Sequence, residues 1–117
     1  ADDMIDTGGT TVKTTYALRD LGAEKVYGAV THAILSVDDD GVRAEDKIRK
    51  AGLKLIATDS IPRSVRYKEE NRDIIEWIPT DAFTANVVFQ IQKDDGSVSK
   101  LLGDKREPIR DEFKPPQ

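Results

Sequence analysis

Apolar residues fall into short runs separated by stretches in which they recur every three or four positions, the signature of strands alternating with helices. After a Gly-rich turn at residues 7–10, Val12, Tyr16, Ala17 and Leu21 keep helical spacing until Gly22 supplies a stop. Residues 25–31 (Lys-Val-Tyr-Gly-Ala-Val-Thr) are β-branched and aromatic, and predict a strand. Residues 36–41 are polar and read as a loop. Ala44, Ile48 and Ala51 then mark a helix over residues 42–51, Gly52 its exit, and residues 53–57 a second strand closed by Pro62. Residues 74–78 predict a third strand, and Pro79-Thr80-Asp81 introduces a helix with Phe83, Val87 and Ile91 on one face. Asp94-Asp95-Gly96 signals a turn before a short strand at residues 97–102, and residues 114–117 read as a solvated tail.

Such alternation implies an α/β fold, a mostly parallel sheet flanked by helices, with its site at the carboxyl ends of the strands. The opening is unusual. A glycine loop of this kind should be fed by a buried strand, yet only Ala1 and two aspartates precede the run, so the strands before the loop are expected to be lacking.

Composition narrows the class. A chain of 117 residues suits one domain, residues 1–117, and two would leave neither with an adequate core. No apolar run reaches the length of a membrane span and no secretory leader is recognised, so a cytoplasmic protein without a membrane partner is expected. Without cysteine there are no disulfides, thiolate nucleophiles or cysteine-bound metals. The net charge of -4 arises from Asp2, Asp3 and Asp6 and from Asp38, Asp39 and Asp40; the bases are scattered elsewhere, which argues against a nucleic-acid surface.

The segment Asp2-Asp3-Met4-Ile5-Asp6-Thr7-Gly8-Gly9-Thr10 carries the candidate chemistry. Gly8 and Gly9 allow backbone to approach a phosphate, and free N–H groups at a helix start attract the anion. Thr7 and Thr10 add hydroxyl donors, whereas ionised Asp2 and Asp3 only accept and suit sugar hydroxyls or hydrated Mg²⁺. The same residues could instead merely cap a helix and turn the chain. Neither Gly-Lys-Ser/Thr nor Gly-x-Gly-x-x-Gly occurs, so neither a nucleotide-hydrolase phosphate loop nor a dinucleotide site is expected.

Residues 2–10 resemble the ribose-phosphate loop of the ribose-phosphate pyrophosphokinases, whose sheet is phosphoribosyltransferase-like. Residues 22–27 (Gly-Ala-Glu-Lys-Val-Tyr), Thr31-His32 with Ser36, residues 58–62 (Thr-Asp-Ser-Ile-Pro) and residues 96–102 (Gly-Ser-Val-Ser-Lys-Leu-Leu) are similar to further segments of that family, in the same order. The resemblance implies transfer of the β,γ-diphosphoryl group of ATP to ribose 5-phosphate with Mg²⁺, giving phosphoribosyl pyrophosphate and AMP. It implies that Asp6, Thr7, Gly8, Gly9 and Thr10 hold the 5-phosphate, that Asp2 and Asp3 orient the ribose hydroxyls, and that the enzyme is a homo-oligomer. The family's amino-terminal half, with its nucleotide and metal groups, has no counterpart in these residues. The chain is therefore expected to be a carboxyl-terminal portion, inactive alone, with its Mg²⁺ ligands mainly elsewhere. A silent regulatory subunit and a phosphoribosyltransferase consuming phosphoribosyl pyrophosphate are the alternatives. Val37 and the run Asp38-Asp39-Asp40-Gly41 depart from the family pattern, which has Gly after Ser36 and a shorter passage into the next helix.

Other residues draw plainer readings. His32, the only histidine, is read as structural, and Asp38, Asp39 and Asp40 as a solvated turn or helix entry, since their spacing is not that of a calcium loop. Arg63, Arg66 and Lys68 are read as a hydrated loop balanced by Glu69 and Glu70, the alternative being a phosphate contact to a neighbouring subunit. Trp77, Phe83 and Phe89 are expected in the core or at a subunit contact.

Overall fold

The computed structural model describes residues 1–102, so the tail at residues 114–117 lies outside the described residues. Two compact units follow one another, Ala1–Pro79 and the segment from Thr80 onward. In the first, β1 (Asp2–Ile5), α1 (Gly9–Asp20), β2 (Val26–Ala33), α2 (Ala44–Ala51), β3 (Leu53–Thr58), α3 (Val65–Glu70) and β4 (Ile75–Ile78) alternate along the chain. The strands lie in the order β1-β2-β3-β4 and every pairing is parallel.

Period-two alternation sets which side chains enter the core. Val26 and Val30 of β2, Leu53, Leu55 and Ala57 of β3, and Ile75 of β4 are buried, while Tyr27, Lys54 and Glu76 between them are exposed. Ala44, Ile48 and Ala51 of α2 form the buried stripe, and Ala44 and Ile48 join these strands in one cluster. Glu45 and Asp46 in the first turn and Arg49 and Lys50 in the last complement the dipole of that helix.

The structure corrects the expected opening of the sheet. A strand does feed the loop: Asp2 and Asp3 belong to β1, which pairs Asp2 with Val30, Met4 with His32 and Ile5 with Ala33. It is short beside its neighbour, because β2 begins at Val26. A cavity of about 260 Å³ opens beside this part of β2, between Thr11, Thr14 and Leu18 of α1 and Met4, Leu53 and Leu55 of the sheet.

Three other expectations change. The inward residue of α1 is Thr15 (1% exposed), with Val12 half-buried, whereas Tyr16 is exposed and Leu21 is 85% exposed. Thr15 tolerates burial because its hydroxyl donates to the Thr11 carbonyl at 2.8 Å. Arg66 and Lys68, expected with Glu69 and Glu70 in a hydrated loop, lie in α3, which Ser64 caps by accepting the Tyr67 N–H at 3.1 Å. Residues 98–102 form a 3₁₀ turn (Val98–Leu102) instead of a strand.

In the second unit, α4 (Asp81–Gln92) leads to that turn. Gln90 accepts the Ser97 N–H at 3.1 Å, an amide tie that favours a compact turn over extended chain. Phe83 and Phe89 are exposed, which removes the core from the two places expected for them and leaves the subunit contact, while Trp77 packs on the core of the first unit.

Candidate functional site

The loop from Asp6 to Thr10 leaves the carboxyl end of β1 and enters α1 directly. Its carbonyls are occupied in succession. Ile5 O accepts the N–H groups of Ile34 (3.0 Å) and Leu35 (3.2 Å), Asp6 O that of Ser36 (3.1 Å), Thr7 O the ammonium of Lys47 (3.4 Å), and Gly8 O the N–H of Val12 (2.9 Å). The N–H groups of Thr7, Gly8, Gly9, Thr10 and Thr11 have no protein acceptor among the described residues. Acceptors turned inward and donors left over, at the positive end of a 12-residue helix, make a cradle for an anion.

Gly8 makes the turn possible. Its φ of 77° is left-handed, and a Cβ there would lie 3.8 Å from that of Ala44 on α2. Gly9 is different: a Cβ would meet nothing within 4 Å, so its outer side is open.

The segment after β2 braces the loop and is itself strained. Leu35 is non-glycine yet sits at φ 56°, a conformation that costs on the order of 1 kcal/mol. Burial of its side chain (6% exposed) and its bond to Ile5 O hold it there. Arg63 secures the same segment by donating to Ala33 O at 3.0 Å and to Ile34 O. Its guanidinium lies 4.7 Å above the Tyr67 ring, and the Tyr67 hydroxyl donates to Glu45 at 2.5 Å. Glu45, 4% exposed, also faces Arg43 at 3.6 Å. Arg63 is thus committed to backbone carbonyls, which corrects its reading as a hydrated loop charge. Arg66 and Lys68 stay at the surface of α3, the first paired with Glu70 at 2.8 Å and the second 5.5 Å from the Trp77 ring.

Burial, reinforced by the bond to Glu45, pushes the Tyr67 hydroxyl well above its ordinary value near 10. Folded protein then keeps the proton that unfolded chain releases, so this contribution is complete below about pH 10 and is lost as pH rises toward the folded value. Tyr67→Phe should flatten that alkaline loss. It should also lower stability near neutrality by about 1.5–3 kcal/mol, because a buried carboxylate loses a donor. Urea unfolding of both proteins between pH 7 and 11 reads the two effects.

His32 and the strand end after β3 meet across neighbouring strands. The Ser60 hydroxyl bonds Thr31 O at 3.1 Å and His32 Nδ1 at 2.8 Å, and Thr58 Oγ1 bonds Thr31 O at 2.6 Å. Thr31-His32 and residues 58–60, separate in sequence, thus form one hydroxyl cluster.

Asp2 and Asp3 are exposed and point to opposite faces of β1 by strand alternation. Each turns Oδ1 to the next N–H, at 2.8 Å for Asp2 and 2.9 Å for Asp3, and the Asp2 carboxyl is held below its ordinary value by that bond. Among the described residues no three His, Asp or Glu side chains converge as a metal site, so these residues do not by themselves fit the expected Mg²⁺. No described helix is long and apolar enough to cross a membrane.

The parallel sheet with a glycine loop between its first strand and first helix is the architecture of a phosphoribosyltransferase-like α/β fold. The solved structure of phosphoribosylpyrophosphate synthetase from Mycobacterium smegmatis superimposes with a TM-score of 0.62 and 29% identity, over 77% of this chain and 28% of that one. Curated ribose-phosphate pyrophosphokinases agree: that of Pasteurella multocida is 41% identical over 101 residues, 86% of this chain and 30% of its own. That of Methanopyrus kandleri is 47% identical over 62 residues, 52% of this chain and 20% of its own. The chain is a homologue of the ribose-phosphate pyrophosphokinases and spans about 30% of the length of the first of these relatives. No family model matches it.

Proposed function

We propose that this chain is the carboxyl-terminal, phosphoribosyltransferase-like part of a ribose-phosphate pyrophosphokinase, and that its loop holds ribose 5-phosphate. The observation that supports this best is the run of five amides, from Thr7 to Thr11, left without protein acceptors while the adjoining carbonyls are bonded inward. On this reading the 5-phosphate sits against those amides and the hydroxyls of Thr7 and Thr10, with Asp6 and Gly9 bordering it. Asp2 and Asp3 face opposite sides of β1, so on this reading the carboxylate on the side of the bound sugar orients the ribose hydroxyls.

In the whole enzyme the anomeric hydroxyl attacks the β-phosphorus of ATP. A new O–P bond forms, the bond between the bridging oxygen and the β-phosphorus breaks, and AMP leaves with that oxygen. Positioning and charge neutralisation do most of the work in such a transfer, so a rigid clamp on the acceptor sugar serves the reaction. ATP, its Mg²⁺ and the metal ligands engage parts of the enzyme beyond these residues. The homo-oligomeric cytoplasmic enzyme is the working form, and this chain alone is inactive.

Calorimetric titration of the chain with ribose 5-phosphate should give saturable binding, and ribose alone should give none. Thr10→Val, which removes one exposed donor, should weaken ribose 5-phosphate about tenfold. A folded chain that does not distinguish the phosphorylated sugar from ribose would refute the reading.

A further inference from the structure

The acidic run that departs from the family pattern is an ordered turn with one carboxylate aimed at the loop. Val37 and Arg43 form an antiparallel bridge, and Asp38 N–H donates to Val42 O at 2.9 Å. Asp38 Oδ1 accepts the N–H groups of Asp40 (3.0 Å) and Val42 (2.8 Å), which leaves Oδ2 to pair with the ammonium of Lys47. That ammonium donates to Thr7 O at 3.4 Å. Lys47 stands one helical turn beyond Ala44, the residue beneath Gly8.

We infer that Lys47, held by Asp38, is a positioning residue of the anion loop that fixes the orientation of the Thr7–Gly8 peptide. In a trans peptide the C=O and the following N–H point in opposite directions, so anchoring Thr7 O toward Lys47 turns the Gly8 N–H away from it, toward the anion. Gly8, free of a Cβ, offers little resistance to reversal of that peptide, and reversal would present a carbonyl to the phosphate. The lock therefore has to come from outside the loop. Asp38 supplies it by stopping the flexible Lys47 stem from reaching water or the ligand.

The binding part of this inference rests on the proposed ligand, and the backbone part does not. Charge alone and positioning predict opposite signs at one position. Asp38→Asn removes a negative charge beside the loop, so simple attraction would tighten an anion. If Asp38 acts by holding Lys47, the same variant weakens ribose 5-phosphate by about threefold to tenfold, and Lys47→Met weakens it by about tenfold. Lys47→Arg, which keeps a cationic donor, should stay within about threefold of the parent. Lys50→Met, at an exposed lysine of the same helix, controls for net charge.

The second readout is amide NMR without ligand. Lys47→Met and Asp38→Asn should broaden the Gly8 and Thr7 resonances through microsecond-to-millisecond peptide exchange, and Lys47→Arg should not. Tighter or unchanged binding in Asp38→Asn, or a Gly8 amide in Lys47→Met as sharp as in the parent, would overturn the inference. If the parent chain binds no ribose 5-phosphate, the proposed function fails and the Gly8 linewidth alone decides this inference.

Discussion

Ile48→Ala should lower the stability of the chain by about 3–4 kcal/mol, the cost of emptying a core site that cannot collapse fully. Ile48 is 0% exposed and belongs to the cluster that joins α2 to β2, β3 and β4. Its cluster partners sit on paired strands, and a close-packed interior relaxes little into a cavity. At about 4–8 °C per kcal/mol the melting temperature should fall by tens of degrees. Urea titration of the variant beside Lys50→Ala, an exposed change on the same helix, measures the difference. A loss below about 1 kcal/mol would mean that α2 does not pack on the sheet as described. The consequence reaches the site, because the same helix carries Ala44 under Gly8 and Lys47 at the Thr7 carbonyl. Packing of one buried side chain and geometry of the glycine loop are thus linked through a single rigid element.

What could be read from the sequence was what lies close together along it. Strand segments at residues 25–31, 53–57 and 74–78 are found nearly where their β-branched runs put them, because a strand with one buried face writes its alternation into the chain. The loop was legible for a similar reason. Glycines and helix start occupy consecutive positions, so the turn into α1 is encoded locally.

Elements whose stability comes from a few distant contacts were not legible. The six residues of α3 bury no side chain fully; the helix rests on the Ser64 cap and on Tyr67, whose partners Arg63 and Glu45 mean little until the fold assembles them. In α1 an apolar stripe through Tyr16 and Leu21 was a reasonable expectation, but a back-bonded threonine can replace an aliphatic residue at the interface, and Thr15 does. The sequence places Asp38 in a solvated turn. The turn is there, yet its carboxyl is held below the ordinary value, first by the Lys47 ammonium and then by the Val42 N–H, a pairing that spans nine positions and two elements. Arg63 is the sharpest case: in sequence it is one charge among several, and in the structure it closes the strand end that braces the loop.

Gly9→Val should abolish ribose 5-phosphate binding, by at least about a hundredfold, while leaving the fold intact. The two halves of that expectation come from the same geometry. A Cβ at Gly9 meets no protein atom within 4 Å beyond its chain neighbours and its own helix, and the residue does not have a positive φ, so a side chain can start here without backbone strain. Space that is empty for the protein is the space the phosphate occupies on the proposed reading, between the amides of residues 7–11. Two methyl groups there would separate anion and donors by more than hydrogen-bond range, and several charge-assisted bonds would be lost together. Stability should change by less than about 1 kcal/mol, since the substitution adds a side chain to open surface at the first residue of a helix. Calorimetry with ribose 5-phosphate and urea unfolding of the same sample test both halves. Retained binding would place the ligand away from this loop, whereas a folded, non-binding variant would tie the sugar phosphate to the amides of α1.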